Sequence, residues 1–243
     1  MTTKTMVVLA ISKKPGGRCL AGKELIWKGA GWEIGSWLRP VTTESSGAVP
    51  ESQMAFAMGR LPRLLEIIEI PLTKPAPMRD QPENWLITMP IQAISWKSRG
   101  FFAWQEVQRL VDKPDGLWND HKDARRVKAG YVPTMKQPAS LYLIEPDRIQ
   151  SIKVWSTPSQ FEPTGVRRRR RAVLVYAGAT HELAIDDTDF ENKYYPIFPE
   201  LNAPPVCPTL RNPRETLVCV SLALEHSDHF HYKIAAAFLE PPQ

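Results

Sequence analysis

The stretch MVVLAISKKPGGRCLAGKELIW, residues 6–27, sets the reading of the chain. An apolar run of strand length, Met6 to Ile11, leads into a segment where Lys13, Lys14, Arg18 and Lys23 surround Gly16, Gly17 and Gly22. Cys19 sits in the middle, and a second apolar piece runs from Leu25 to Trp27. Backbone amides freed by glycine form anion-binding nests, and neighbouring cations add charge. The glycines lack the spacing of a P-loop and of a G-x-G-x-x-G fingerprint. The segment therefore reads as a loop leaving a first strand. It could meet an anionic partner, carry a Cys19 nucleophile whose pKa the cations lower, or be a plain turn.

Working outward, the chain has 243 residues, enough for one large domain or two of about 120 residues each. Apolar residues make up 43% and charged residues 23%, so the chain has the material for a core. No apolar run approaches the roughly 20 residues that span a bilayer. The first residues also lack a secretory cleavage pattern, so a cytoplasmic location with no membrane partner is expected. Cys19, Cys207 and Cys219 are odd in number and form no C-x-x-C, against a disulfide framework or a cysteine-rich zinc site. No cofactor is expected. The formal net charge of +5 favours an anionic partner. Proline is high at 23 residues, against a typical ~5% of a chain. Proline interrupts helices and central strands, so short strands joined by rigid loops are expected, not a helical bundle.

Strand patterns cluster at both ends. Residues 64–71, LLEIIEIP, lie between Pro62 and Pro71, which act as stops. Residues 72–84 read as a proline-dense surface run. In residues 93–113, Phe101, Trp104, Val107, Leu110 and Val111 recur near a helical spacing, predicting a helix. The basic stretch 116–138, with Lys122, Arg125, Arg126 and Lys128, reads as loop. Residues 141–144 and 149–155 then read as strands. Residues 167–176, RRRRRAVLVY, turn at Ala177-Gly178 into 180–186 as a hairpin, and 216–224 with 230–239 form another.

The five arginines 167–171 are the strongest charge feature. Guanidinium forks pair with phosphates. On a strand, alternate residues face opposite ways, so at most three share a surface. The competing reading is a charged edge that blocks strand addition. Tryptophans beside cations stack bases, and Trp32 and Trp37, near Arg39, are the best candidates for partial exposure. His226, Asp228, His229 and His231 have a metal-like look, as do Asp186, Asp187 and Asp189, yet polar turns explain both sets better.

The order SKKPGGRCLAG, WLRPV (37–41), LLEIIEIPL (64–72) and QPENWLI (81–87) resembles the bacterial dual OB-containing domain family. So do SLYLIEPDRI (140–149), AVLVYAGATHELAIDDTDFE (172–191), LVCVSLAL (217–224) and YKIAAAFLE (232–240). The resemblance implies a mainly β (α+β) chain of two tandem OB-like β-barrels, with a helix and proline-rich loops between. Residues 1–139 would form the N-terminal OB-like barrel with a helical insertion, and residues 140–243 the C-terminal OB-like barrel. It implies nucleic-acid binding or modification in bacterial antiviral defence, and brings no catalytic residues. OB barrels bind oligonucleotides across a sheet face and its flanking loops.

The resulting expectation is a binding module, not an enzyme, that meets DNA, RNA or a nucleotide. It would act as an accessory or sensor beside a separate effector or modifying enzyme. Its phosphate-binding residues would be Lys13, Lys14, Gly17, Arg18, Arg39, Arg167, Arg169 and Arg171, with Trp37 stacking on a base. The alternatives are an enzyme acting on a nucleotide or nucleobase, with a pocket around residues 12–22 and Cys19 or the Glu83-Asn84 pair, and a nucleotide-ligand sensor.

Overall fold

The computed structural model describes residues 2–14, 16–44, 46–54, 56, 60–87, 96–119 and 123–242. Lys122 and His121 lie outside the described residues. The chain divides into two compact units: residues 1–112 with 130–143, and residues 113–129 with 144–241.

In the first unit, β1 (Thr2–Lys14), β2 (Gly17–Trp27) and β3 (Trp32–Val41) form an antiparallel meander. A short helix α1 (Glu51–Met54) precedes β4 (Glu66–Pro75), β5 (Asn84–Ile87) and β6 (Lys97–Phe101). The order is β1-β2-β3-β5-β4, and β1 also pairs with β4, so five strands close into a barrel. β3 and β5 run parallel, and the other barrel pairs are antiparallel. Val- and Ile-rich inner faces fill the barrel with Met6, Val8, Leu20, Leu38, Ile68, Ile70 and Leu72. α1 adds Met54 to that core.

The opening stretch is corrected here. It is a tight hairpin, not a loop: Ser12, Lys13 and Lys14 pair with Cys19, Arg18 and Gly17. Gly17 is required by close approach. A Cβ there would lie 2.2 Å from the Val49 carbonyl oxygen, which is backbone. Val49 exchanges two 2.8 Å backbone bonds with Arg18 at that point. Gly17→Ala is expected to cost about 1–3 kcal/mol by overpacking, read as a lower urea midpoint.

Two other expectations change. Pro71 does not stop β4, because it falls between the stretch paired to β6, ending at Glu69, and the stretch paired to β5, starting at Leu72. On its other side Pro71 lies opposite Thr3 of β1, so β4 runs through it. The helix expected over 93–113 is instead β6 followed by a 3₁₀ helix, Trp104–Leu110. Trp104, Val107 and Leu110 recur every three residues, which suits the 3.0-residue turn of a 3₁₀ helix better than 3.6.

The chain passes from the first unit to the second inside β8 (Leu141–Ile144). The second unit contains β7 (Arg126–Lys128), β9 (Arg148–Pro158), β10 (Val166–Tyr176), β11 (Ala179–Ile185), β12 (Leu217–Leu222) and β13 (Phe230–Leu239). Helix α2 (Thr188–Tyr194) lies between β11 and β12. The order β9-β10-β11-β13-β12 repeats that of the first barrel, with β11 and β13 parallel and β7 added beside β13. Both units thus carry a short helix between their third and fourth strands. β10 and β11 turn at Ala177 (φ 50°) and Gly178 (φ 74°), the paired positive φ values of a two-residue hairpin turn. The edge of β9 is covered where Val154 exchanges two 2.9 Å backbone bonds with Val206.

α2 seats Phe190 on Phe238, with ring centroids 4.1 Å apart. Asp187 accepts N–H bonds from Phe190 and Phe238. Its burial outweighs those bonds and pushes its carboxyl up to about 6. His181 is 1% exposed with neither ring nitrogen hydrogen-bonded. Burial, then the charge of Lys233, pushes it down to about 4. The two groups act oppositely on stability. The raised Asp187 value gives stability that is present below pH 4 and lost as pH rises through 6. The depressed His181 value gives stability present above pH 6.5 and lost as pH falls towards 4. Each effect is about 3 kcal/mol. Relative to wild type, His181→Leu is expected to lose stability as pH rises across this window, and Asp187→Asn to gain it. Urea unfolding at stepped pH checks the opposite signs.

Candidate nucleic-acid interface

On β10 the apolar residues Ala172, Leu174 and Tyr176 are buried. Strand alternation then sends Arg167, Arg169 and Arg171 to the opposite, outer face. Successive members of this row stand about 6.8 Å apart. Their cross-strand partners on β9 are Thr157, Trp155 and Lys153, which share that face. Arg167 and Lys153 are exposed, while Arg169, Arg171 and Trp155 are half-buried.

The pairing of these cations is uneven. Arg171 reaches Glu182 at 3.4 Å. Among the described residues, the Arg167, Arg169 and Lys153 side chains have no ion-pair partner, and the Trp155 ring has neither a hydrogen bond nor a ring contact. Burial, and then the like charges of Arg167 and Arg171, hold the Arg169 guanidinium below its usual value. β9 pairs with the whole run, whereas β11 pairs with β10 only from Arg171 onward, so residues 167–170 also line a sheet edge and the charged-edge reading still applies to them.

Arg168 and Arg170 point the other way and have structural partners. Their guanidiniums lie 5.2 and 5.9 Å from the Phe198 ring. Arg170 also donates to the Ile185 carbonyl at 3.0 Å and sits 3.5 Å from Glu191. Loop 159–165, which leads into Arg167, exposes Phe161 at 82%. Burial and Arg125 act against the charge on Arg171, whereas Glu182 and Tyr232 support it. The row therefore runs from an exposed aromatic loop to the neighbourhood of Arg125 and Tyr232.

The first unit places its sequence-predicted residues differently. Lys13 is exposed opposite Arg18. Arg18 Nε is 2.6 Å from Glu51, and Lys14 Nζ donates to the Ser46 carbonyl at 3.0 Å. Gly17 serves the backbone contact with Val49. Arg39 is 2% exposed and donates to Ser140 Oγ at 3.1 Å. Trp37 donates its indole N–H to Asp112 at 3.0 Å. The more exposed tryptophan is Trp27, at 59%, edge-on to Trp32 at 5.1 Å.

Asp112 also takes Lys23 Nζ at 2.6 Å and the Leu143 N–H at 2.8 Å. Arg109 of the same segment donates to the Trp32 carbonyl. Lys23 of β2 and Trp37 of β3 are thus engaged by the Asp112 carboxylate of their own chain, and the Trp32 carbonyl by Arg109. In the second unit the outer face of β9–β10 carries Arg167, Arg169 and Lys153, which have no ion-pair partner among the described residues.

Three further motifs have these surroundings. His231 faces the Ala223 carbonyl, His229 pairs with Glu225, and His226 lies beside Asp228. No group of three such side chains is placed to hold a metal among the described residues. Glu83 and Asn84 are buried, Glu83 on Ser140 and Asn84 on Gln81. Cys19 lies within the paired hairpin opposite Ser12. Residues 76–83, read as surface, bury Asp80, which accepts the Gly130 and Val132 N–H groups. Trp155 and Lys153 were not among the phosphate-binding residues expected from the sequence. The alternation over 149–155 signals them, but only the β9–β10 register puts them beside the arginines.

No helix among the described residues is long and apolar enough to cross a membrane. No curated protein and no solved structure matches the chain. A family model described as "Dual OB-containing domain" matches residues 4–238. Two sheets of the same strand order, each with a helix before its fourth strand, agree with that match, and the chain belongs to the dual OB-containing domain family.

Proposed function

We propose that this chain binds single-stranded oligonucleotide on the outer face of its second barrel, as a binding module and not as an enzyme. OB folds in general bind oligonucleotides or oligosaccharides on a sheet face centred on their second and third strands with its flanking loops; the residues proposed here lie on the second strand of the unit's order, β10, and on its neighbour β9. Arg167, Arg169, Arg171 and Lys153 are the phosphate contacts, and Trp155 is the stacking platform. The observation that carries the reading is that Arg167, Arg169 and Lys153 have no ion-pair partner among the described residues, beside a Trp155 ring with no hydrogen bond or ring contact there. Mutual repulsion along that row is relieved when an anion arrives. Under this reading the chain is an accessory or sensor beside a separate effector or modifying enzyme in bacterial defence, the setting that the family resemblance implies.

Fluorescence anisotropy with labelled single- and double-stranded DNA and RNA tests it. Single strands are expected to bind at low salt, with log K falling against log salt at a slope of about −3 for four phosphate contacts. Absence of binding at low salt overturns the proposal.

A further inference from the structure

We infer that the depression lined by Asp123, Arg125, Arg126 and Tyr232 receives one nucleobase of the bound strand, with a preference for bases bearing an exocyclic amino group. The inference rests on the oligonucleotide reading above. The depression has a volume of about 410 Å³, within the range of small-ligand sites.

Its charges are balanced, unlike those of the arginine row. Arg125 meets Glu182 at 2.8 Å, and Arg126 meets Asp123 at 3.0 Å and Asp228 at 3.1 Å. Arg171 shares Glu182. Three guanidiniums thus face three carboxylates. A phosphate gains more at Arg167, Arg169 and Lys153, where no carboxylate competes. A flat neutral base suits the depression better.

Tyr232 supplies an aromatic wall, held by its hydroxyl bond to Asp228 at 2.8 Å. Arg126 is fixed over the Phe230 ring at 4.1 Å. Locked side chains lose little freedom on binding. Guanidinium N–H groups donate to base carbonyls and ring nitrogens, and carboxylates accept from amino groups. Adenine, cytosine and guanine offer both kinds of edge, whereas thymine and uracil lack the amino donor. Arg171 belongs to the row and lies within electrostatic reach of Arg125 and Tyr232, so a strand on the row is led towards the depression.

The test scans a single 2-aminopurine through a short single strand bound to the full chain. Two positions are expected to change fluorescence on binding. One change is lost in Trp155→Leu and the other in Tyr232→Leu, with affinity falling about tenfold in each. Tyr232→Phe keeps the ring and is expected to keep its signal, which separates stacking from a folding defect. Thymine at the Tyr232 position is expected to bind more weakly than adenine or cytosine. A uniform profile, or one unchanged by Tyr232→Leu, overturns the inference. If no strand binds at all, the row reading fails, and 2-aminopurine riboside alone decides the depression. A signal dependent on Tyr232 then upholds a mononucleoside site, and its absence overturns that too.

Discussion

Replacing Arg167, Arg169 and Arg171 together by glutamine is expected to weaken single-strand binding about a hundredfold at 0.1 M salt and to remove about 2 from the salt slope. Each phosphate neutralised on a single strand contributes about 0.7 to that slope, so losing three contacts changes affinity and slope together. The paired control is Arg168→Gln with Arg170→Gln. It removes the same kind of charge two positions at a time from the same strand, but from the inner face. There the lost partners are Phe198, the Ile185 carbonyl and Glu191. That variant is expected to lose stability and keep its salt slope. Anisotropy titrations at several salt concentrations read both. An unchanged slope in the triple variant, or equal loss in both variants, contradicts the outer-face assignment.

Glu83→Ala is expected to destabilise the first unit by about 3–5 kcal/mol. The Glu83 carboxylate accepts the Ser140 N–H at 2.5 Å and its hydroxyl at 2.8 Å. The Ser140 hydroxyl oxygen in turn accepts from Arg39 at 3.1 Å. Removing the carboxylate strands a buried N–H and a buried hydroxyl of Ser140, each costing about 1–3 kcal/mol when unsatisfied. Urea unfolding measures the loss, and a shift below about 1 kcal/mol contradicts the network. Arg39→Gln also separates structure from recognition. It is expected to lower stability while the folded protein keeps its oligonucleotide affinity.

Much of the second barrel was legible. The hairpin of β10 and β11 follows from alternation around Ala177-Gly178, and the parity of Ala172, Leu174 and Tyr176 sorts the arginines into two faces. The first barrel was less so. Its opening segment was read as loop because glycine and charge dominate residues 12–18. Backbone pairing with Val49, more than thirty positions away, makes Gly17 a strand residue. Lys14, Arg18 and Arg39 were read as phosphate contacts from charge alone. Their partners, Ser46, Glu51 and Ser140, are set by the fold and not by adjacency.

The sequence by itself determined the β-rich composition, the main hairpins, the family and the two-sided sorting of residues 167–171. These depend on side-chain volume, turn chemistry and a period of two, all of which act between near neighbours. Only the tertiary structure decided the rest. It closed β1 on β4, laid Asp112 across Lys23 and Trp37, buried Arg39 with Glu83, and left Arg167, Arg169 and Lys153 beside Trp155 without a carboxylate partner among the described residues. Whether a charge is free or neutralised depends on atoms within a few ångströms, and for these residues those atoms lie far away along the chain.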